Sequence, residues 1–254
     1  MGRAVPAVTR ALDILELFLD RPSLSAPEIT ESLGLPRTTV HELVTTLTDR
    51  SYLIPTPGQP TRYRLGMRLF QLGGVFAGQL DLAHEARDIA RRVAADCDET
   101  VHVAVLDGAD VVYVAKVDST HPVRMVSAVG RRLPAHCTGV GKMLLSGLSA
   151  DALDARCPRE RELPGMTPSS ITSPARLRAH LEEIRRRGLS YDECESNEAV
   201  YCVAAPVYDH TADMVAAMSV SAPSLRWNPA RREEWSTLIR RGAADLSQRL
   251  GHRP

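Results

Sequence analysis

Ser25-Ala26-Pro27-Glu28-Ile29-Thr30-Glu31-Ser32-Leu33-Gly34-Leu35-Pro36-Arg37-Thr38-Thr39-Val40-His41-Glu42-Leu43-Val44-Thr45-Thr46-Leu47 decides how the N-terminal part of the chain folds. Ser25 and Glu28 stand at capping-box spacing, with Pro27 in the first turn, so a helix starts there and turns Ile29 and Leu33 inward. Gly34-Leu35 is a tight break. Pro36 opens the next helix, whose Val40, Leu43, Val44 and Leu47 make one apolar stripe. Upstream, Val8, Ala11, Leu12, Leu15, Phe18 and Leu19 recur at helical spacing until Pro22 stops the pattern. Downstream, Tyr52-Leu53-Ile54 and Arg62-Tyr63-Arg64-Leu65 flank the turn-rich Pro55-Thr56-Pro57-Gly58-Gln59-Pro60, which predicts a hairpin with a long loop. Helix, helix, glycine turn, helix and hairpin is the order of a winged helix-turn-helix, here ending near Gly66.

The charge of this unit is divided. Residues 1–35 carry three arginines against five carboxylates, a net of −2; residues 36–68 carry five arginines against two, a net of +3. The positive part is the third helix and the hairpin, the parts that such a unit presents to a duplex. With its stripe buried, the third helix exposes Arg37, Thr38, Thr39, His41, Glu42 and Thr45. Arg, Thr and His suit phosphate, guanine or the thymine methyl; the same face could equally be an ordinary solvated one on a protein-interaction module.

Over the whole chain of 254 residues, 31 cations balance 31 anions, which excludes coating of nucleic acid or membrane by bulk charge. All cations but Lys116 and Lys142 are Arg. The five cysteines form no CxxC pair and are odd in number, which argues against a disulfide framework or zinc module. No signal peptide or long apolar run is present, so the reading is a cytoplasmic protein with no membrane partner.

Met67 to Leu80 carries Leu69, Leu72, Phe76 and Leu80 on one side and predicts a connecting helix, with Gly73-Gly74 as a place to bend. From Asp81 the pattern is mixed. Helices are expected at Leu82 to Cys97, Thr138 to Ser146, Ser149 to Arg156, Pro174 to Arg187 and Pro229 to Leu250. Strands are expected at Val101 to Leu106, Val111 to Val117, Val123 to Ala128, Leu189 to Glu193, Val200 to Tyr208 and Met214 to Ser221. Hairpins and helices without βαβ alternation give an α+β fold with a largely antiparallel sheet. The organisation is thus 1–66 winged helix-turn-helix, 67–80 linker helix and 81–254 second domain.

In that domain, His136-Cys137-Thr138-Gly139-Val140-Gly141-Lys142 is a Gly-containing helix entry. It fails the Walker and dinucleotide patterns, but free amides at Gly139, Val140 and Gly141 suit a small carboxylate. Ser219 and Ser221 share one face of a strand, and Cys202 lies on another strand. His102 or His136 with Cys137 or Cys202 could make a nucleophile pair, but adjacent His136 and Cys137 point apart, and nothing specifies an enzyme, a metal or a cofactor.

Several ordered motifs then match one family: Val8-Thr9-Arg10-Ala11-Leu12-Asp13-Ile14-Leu15, Gly34 to His41, Arg62-Tyr63-Arg64-Leu65-Gly66, Glu99-Thr100-Val101-His102, Val123-Arg124-Met125, the loop from His136 to Lys142, Cys202-Val203-Ala204-Ala205-Pro206-Val207 and Ser219-Val220-Ser221. Over about 210 residues the chain resembles the isocitrate-lyase-regulator (IclR) type of bacterial transcription factor. The resemblance implies a GAF-like effector domain that binds a small organic acid. It also implies a homodimer or homotetramer on double-stranded DNA with a pseudo-palindromic operator, and repression relieved by ligand. It implies DNA contacts from Arg10, Arg37, Thr38, Thr39, His41, Gln59 and Arg62. Carried over by motif, the effector contacts are Gly139, Val140, Gly141, Asp192, Cys202, Ser219 and Ser221, with Met125 and Leu133 as apolar lining. Glu42 stands where the family commonly has Arg, and Ser51 where it has a Gly in the left-handed region. Ala199 and Ala222 replace frequent glycines. Two rival readings are a metabolic enzyme with a DNA-binding appendage and a constitutive DNA-binding protein with an empty effector domain.

Overall fold

The computed structural model describes residues 4–58, 60–79, 81–123 and 127–252. The chain forms two compact units, Met1–Leu80 and Asp81–Pro254.

In the first unit, α1 (Pro6–Glu16) runs into a 3-10 turn at Leu17–Leu19. The apolar face differs from the expected one. Ile14 and Phe18, one turn apart, enter the core, while Val8, Leu12 and Leu19 are exposed. Apolar residues lie on more than one side of α1, so spacing alone does not choose the buried side; packing against the next helices does. Ser25 caps α2 (Ala26–Leu33) through the full box with Glu28. Gly34 closes it at φ +62°, a left-handed turn that glycine adopts without penalty. Helix α3 (Arg37–Asp49) buries Val40, Val44 and Leu47 against Ile14, Phe18, Leu24, Ile29 and Leu53. Two strands, β2 (Leu53–Thr56) and β3 (Arg62–Leu65), form the wing, with Leu53 opposite Leu65 and Thr56 opposite Arg62. A short β1 (Leu24–Ser25), not foreseen, adds to the other edge of β3. Helix α4 (Met67–Gln79) continues through Gly73 and Gly74; Leu80, expected to end it, lies outside the described residues.

The second unit is a six-stranded antiparallel sheet in the order β6-β5-β4-β9-β8-β7. Its strands are β4 (Thr100–Asp107), β5 (Asp110–Val117), β6 (Arg132–Pro134), β7 (Ser190–Glu193), β8 (Val200–Tyr208) and β9 (Met214–Pro223). Helices α5 (Asp81–Cys97) and α9 (Pro229–Arg249) cover one face; α6 (Gly139–Ser146) and α8 (Pro174–Arg187) cover the other, with α7 (Ala150–Arg156) beside them. Strand β9 shows how the period of two divides its residues. Ala216, Met218, Val220 and Ala222 join the core under α5 and α9, so Ala217, Ser219 and Ser221 face α6. The strand expected over Val123 to Ala128 is not found at Val123, Ser127 or Ala128, and Arg124 to Val126 lie outside the described residues. The free edge of β5 is instead paired by β6, with Val111 opposite Leu133. Among the described residues no helix is long and apolar enough to cross a membrane.

Candidate functional site

Helix α3 presents Arg37, Thr38 and His41 to solvent, with Thr39 half-buried beside them. Among the described residues none of these side chains has a hydrogen-bond or ionic partner. Arg10 is exposed on α1. Arg62 is not free in the same way. Its Nε donates to Ser23 Oγ at 3.0 Å and its Nη2 to the Ser23 carbonyl at 2.8 Å, while Nη1 pairs with Glu28 at 3.1 Å. The fork expected to reach DNA therefore ties the wing to the start of α2, and Glu28, with its carboxyl held down at about 2 by the Ser25 hydroxyl and amide, is its counter-charge. Arg64, two residues along β3, is exposed and without a partner among the described residues. The charge balance counted it, but nothing in the local pattern distinguished it from Arg62. Gln59 lies outside the described residues.

On the face of the large sheet under α6, register builds two polar rows. In one, Asp192 of β7 stands opposite Cys202 of β8, Cys202 opposite Ser221 of β9, and Ser221 opposite Thr100 of β4. In the next, Ser190, Ala204, Ser219, His102 and Lys116 follow one another across five strands. Cross-strand partners share a face, about 4.5–5.5 Å apart, so the rows make one continuous floor. Ser219 is only 2 % exposed, yet among the described residues its hydroxyl has no partner. Ser221 Oγ lies 3.4 Å from His102 Nδ1, and His102 Nε2 lies 2.7 Å from Ser127 Oγ. The His102 ring stacks on Tyr113 with centroids 4.5 Å apart. Burial, and then the nearby Lys116 charge, press the imidazole down to about 3, so it is neutral. Tyr113 was missed as a site residue, and His102 was read only as half of a nucleophile pair and as part of the Glu99-Thr100-Val101-His102 motif. For Tyr113 the signal was a polar side chain within an apolar strand.

The glycines of the α6 entry have a different reason from the one expected. A Cβ on Gly141 would meet the Ala135 carbonyl at 2.1 Å, and one on Gly139 would meet Cys202 Sγ at 2.4 Å; both positions permit close approach. The Gly141 amide donates to its N-cap, Thr138 Oγ1, at 3.0 Å. The Gly139 amide lies by the Cys202 sulfur and works against the rise of its pKa, without a hydrogen bond to it. Of the three amides expected to receive a carboxylate, that of Gly141 is engaged, and those of Gly139 and Val140 have no acceptor among the described residues.

Asp192 is likewise occupied. Its Oδ1 accepts the Glu195 amide at 2.7 Å and the Ser196 amide at 3.3 Å, and its Oδ2 accepts the Ser196 hydroxyl. The carboxylate thus closes the β7–β8 turn. Burial raises it to about 6, against the lowering effect of Ser196 and of Lys142. Lys142, wholly buried on α6, pairs with Glu195 of that turn, so the turn is closed within itself and fastened to α6. Leu133 is on β6, level with Val111 and Leu106. Leu106 is four residues along β4 from His102, roughly 13 Å at strand rise, so the structure does not bring Leu133 to the serines. Met125 lies outside the described residues. No group of three metal-ligating side chains converges among the described residues.

A family model, the IclR helix-turn-helix domain, matches residues 7–55, and a second, the bacterial transcriptional regulator IclR C-terminal domain, matches residues 75–248. The chain is 31 % identical over 249 residues to the HTH-type transcriptional regulator XynR of Escherichia coli, with 98 % of each covered. It is 30 % identical over 250 residues to the transcriptional repressor IclR of the same organism, covering 97 % of this chain and 90 % of that one. Among solved structures, an IclR homolog from Microbacterium hydrocarbonoxydans complexed with 4-hydroxybenzoate superposes with a TM-score of 0.82 at 26 % identity, over 96 % of this chain and 99 % of that one. A winged unit with a free-faced recognition helix, a sheet domain with a buried polar floor and matches over both units lead to one conclusion: the chain belongs to the IclR family of DNA-binding transcriptional regulators.

Proposed function

We propose that this regulator is a repressor whose hold on its operator is relieved by a small organic acid bound on the polar floor of the second domain. The observation that carries the reading is the pair of hydroxyls in one row of that floor that are partnerless among the described residues: Ser190 Oγ, buried and without a hydrogen-bond partner, and, across Ala204 from it, Ser219, unpartnered beside His102. An unsatisfied buried hydroxyl costs about 1–3 kcal/mol, and a ligand that accepts or donates there recovers it. Ser221, Cys202 and Val140 line the same floor, and Asp192 shapes it through its turn. The relative complexed with 4-hydroxybenzoate supports an aromatic or similarly small acid. Burial pushes the Cys202 thiol far up, so it is no thiolate nucleophile, and the site works by binding.

On the DNA side, Arg37, Thr38, Thr39 and His41 read the major groove, with Arg10 and Arg64 on phosphates. One such unit offers too few contacts for tight specific binding, so the active species is a homodimer on half-sites spaced by whole helical turns. Val8 and Leu12 of α1, with Val5 at its N-cap, support it: all three are exposed apolar side chains. Sedimentation distinguishes homodimer from homotetramer. Relief requires that the ligand bind two states of the protein with different affinity. The test is the ratio of operator affinities with and without effector, found by screening small carboxylates from 4-hydroxybenzoate outward. Substituting Ser219→Ala with Ser221→Ala should shrink that ratio by at least ~1 kcal/mol, on the net scale of one hydrogen bond. An unchanged dose curve would place the pocket elsewhere.

A further inference from the structure

Resting on the effector-floor reading, we infer that His102 is the partner of the effector's carboxylate and that the carboxylate is taken up together with one proton. The argument begins with what the floor can offer an anion. The amide of Gly141 is engaged, and both oxygens of Asp192 hold their own turn. The Lys116 ammonium is engaged too, donating to the Ser127 carbonyl at 2.6 Å and pairing with Asp118 at 2.7 Å. What remains are the first-turn amides of α6 at Gly139 and Val140, which carry no full charge, and, beside the unpartnered Ser219 hydroxyl, the imidazole directly opposite it in the β4–β9 register, the uncommitted group there able to become cationic. Its bond to Ser221 is long, 3.4 Å, and is the one a ligand oxygen can replace.

Charge then dictates the proton. A carboxylate buried alone would cost far more than its hydrogen bonds return, because a buried charge needs a paired counter-charge. His102 is neutral in the unliganded floor, where burial and Lys116 disfavour the imidazolium. An adjacent carboxylate reverses that balance, so carboxylate and proton enter as a neutral sum. Of the groups facing the ring, none stands closer to the Ser219 hydroxyl with a free site for the proton. On β5 these are Tyr113, held neutral by burial, and Lys116, already charged; beyond β5 is Asp118, already paired. On β9 they are Ser219 and Ser221, which do not titrate. Across the floor, Cys202 stays a thiol. Asp192, raised to about 6, stands nearer to neutrality, but its oxygens accept from the Glu195 and Ser196 amides and the Ser196 hydroxyl, which favour the ionised form; Lys142 of α6 is paired to Glu195.

Calorimetry on the full chain, in two buffers of different ionisation enthalpy, counts the proton, with acetate and 4-hydroxybenzoate as probes. The expected result is uptake of about one proton, an affinity that falls about tenfold per pH unit above neutrality, and imidazole nitrogen shifts that turn from neutral to protonated for one buried histidine. His102→Asn should flatten the pH dependence, whereas Ser219→Ala should weaken binding and keep the slope. Binding without proton uptake overturns the inference, as does a slope that survives in His102→Asn. Failure of both probes at millimolar concentration also overturns it, since the inferred partner is the carboxylate itself. If proton uptake is absent while the two serine substitutions still abolish the response, the floor remains the effector site and only the role of His102 falls.

Discussion

Gly139→Ala is the sharpest test of how the α6 entry and the β8 strand fit together. In a helix first turn, Gly→Ala ordinarily stabilises, by up to ~1 kcal/mol. Here the added Cβ would lie 2.4 Å from Cys202 Sγ, 3.5 Å from the Asp192 amide nitrogen and 3.7 Å from Ala204 Cβ. Ordinary contact between such atoms is about 3.5–4.0 Å, so sulfur and methyl must part by more than ~1 Å. Cys202 cannot swing aside freely, because it is 5 % exposed and its strand is paired on both sides, with Asp192 and Ser221 opposite it. Overpacking of this kind costs about 1–3 kcal/mol, which exceeds the propensity gain. The melting temperature of a domain of this size should fall by about 2–4 °C for each kcal/mol. Cys202→Ala alone leaves a small cavity and costs ~1 kcal/mol. Together, the new methyl occupies the space the sulfur left, so the double substitution should be at least ~1 kcal/mol more stable than the sum of the singles. Both tryptophans, Trp227 and Trp235, lie in the second domain, so urea unfolding followed by their fluorescence reports this domain without the winged one. A Gly139→Ala protein at or above the original stability, or a strictly additive cycle, would refute the reasoning.

Ser51 holds φ +62°, which costs a non-glycine about 1–2 kcal/mol, so Ser51→Gly should stabilise the winged unit by ~0.5–1 kcal/mol after its greater unfolded-state entropy; slower hydrogen exchange at the Tyr52 and Gly66 amides checks it. Arg62→Ala should loosen the wing by ~0.5–1 kcal/mol, the scale of an exposed pair, and leave the salt slope of operator binding unchanged, whereas Arg64→Ala should lower that slope by about one; the reverse outcome would exchange their roles. For acid stability the signs are opposed. His102, depressed from 6.5 to about 3, contributes stability that is present above pH ~6.5 and lost as pH falls toward 3. Asp192, raised from 3.8 to about 6, contributes stability that is present below pH ~4 and lost as pH rises through 6. Asp192→Asn, which keeps an oxygen for the Glu195 and Ser196 amides, should therefore steepen the fall in stability between pH ~6 and ~4, and His102→Asn should flatten it, as read from urea midpoints across that range.

The winged unit was legible because its signals are local. The capping box at Ser25 and Glu28, the left-handed Gly34 and Ser51, and the Val40, Val44 and Leu47 stripe each act within a few residues of themselves. The side of α1 that is buried was not legible, since it depends on partners that spacing does not name. The effector floor divides in the same manner. The face shared by Ser219 and Ser221 follows from the period of a strand, and the α6 start follows from Thr138 and the glycines. Gly139 and Gly141 suggested an anion cradle, but a glycine is needed equally where another chain segment comes close, and the contacts with Cys202 and Ala135 decide between the two. His102 was weighed only as half of a nucleophile pair, because its neighbour Ser221 is 119 residues away and only sheet register joins them. Register is therefore where the chemistry of this domain is set. Sliding β9 by one residue would turn Met218 and Val220 onto the polar floor and both serines into the apolar core under α5 and α9. The apolar residues of β9, which touch no ligand, are what hold the two hydroxyls beside the imidazole.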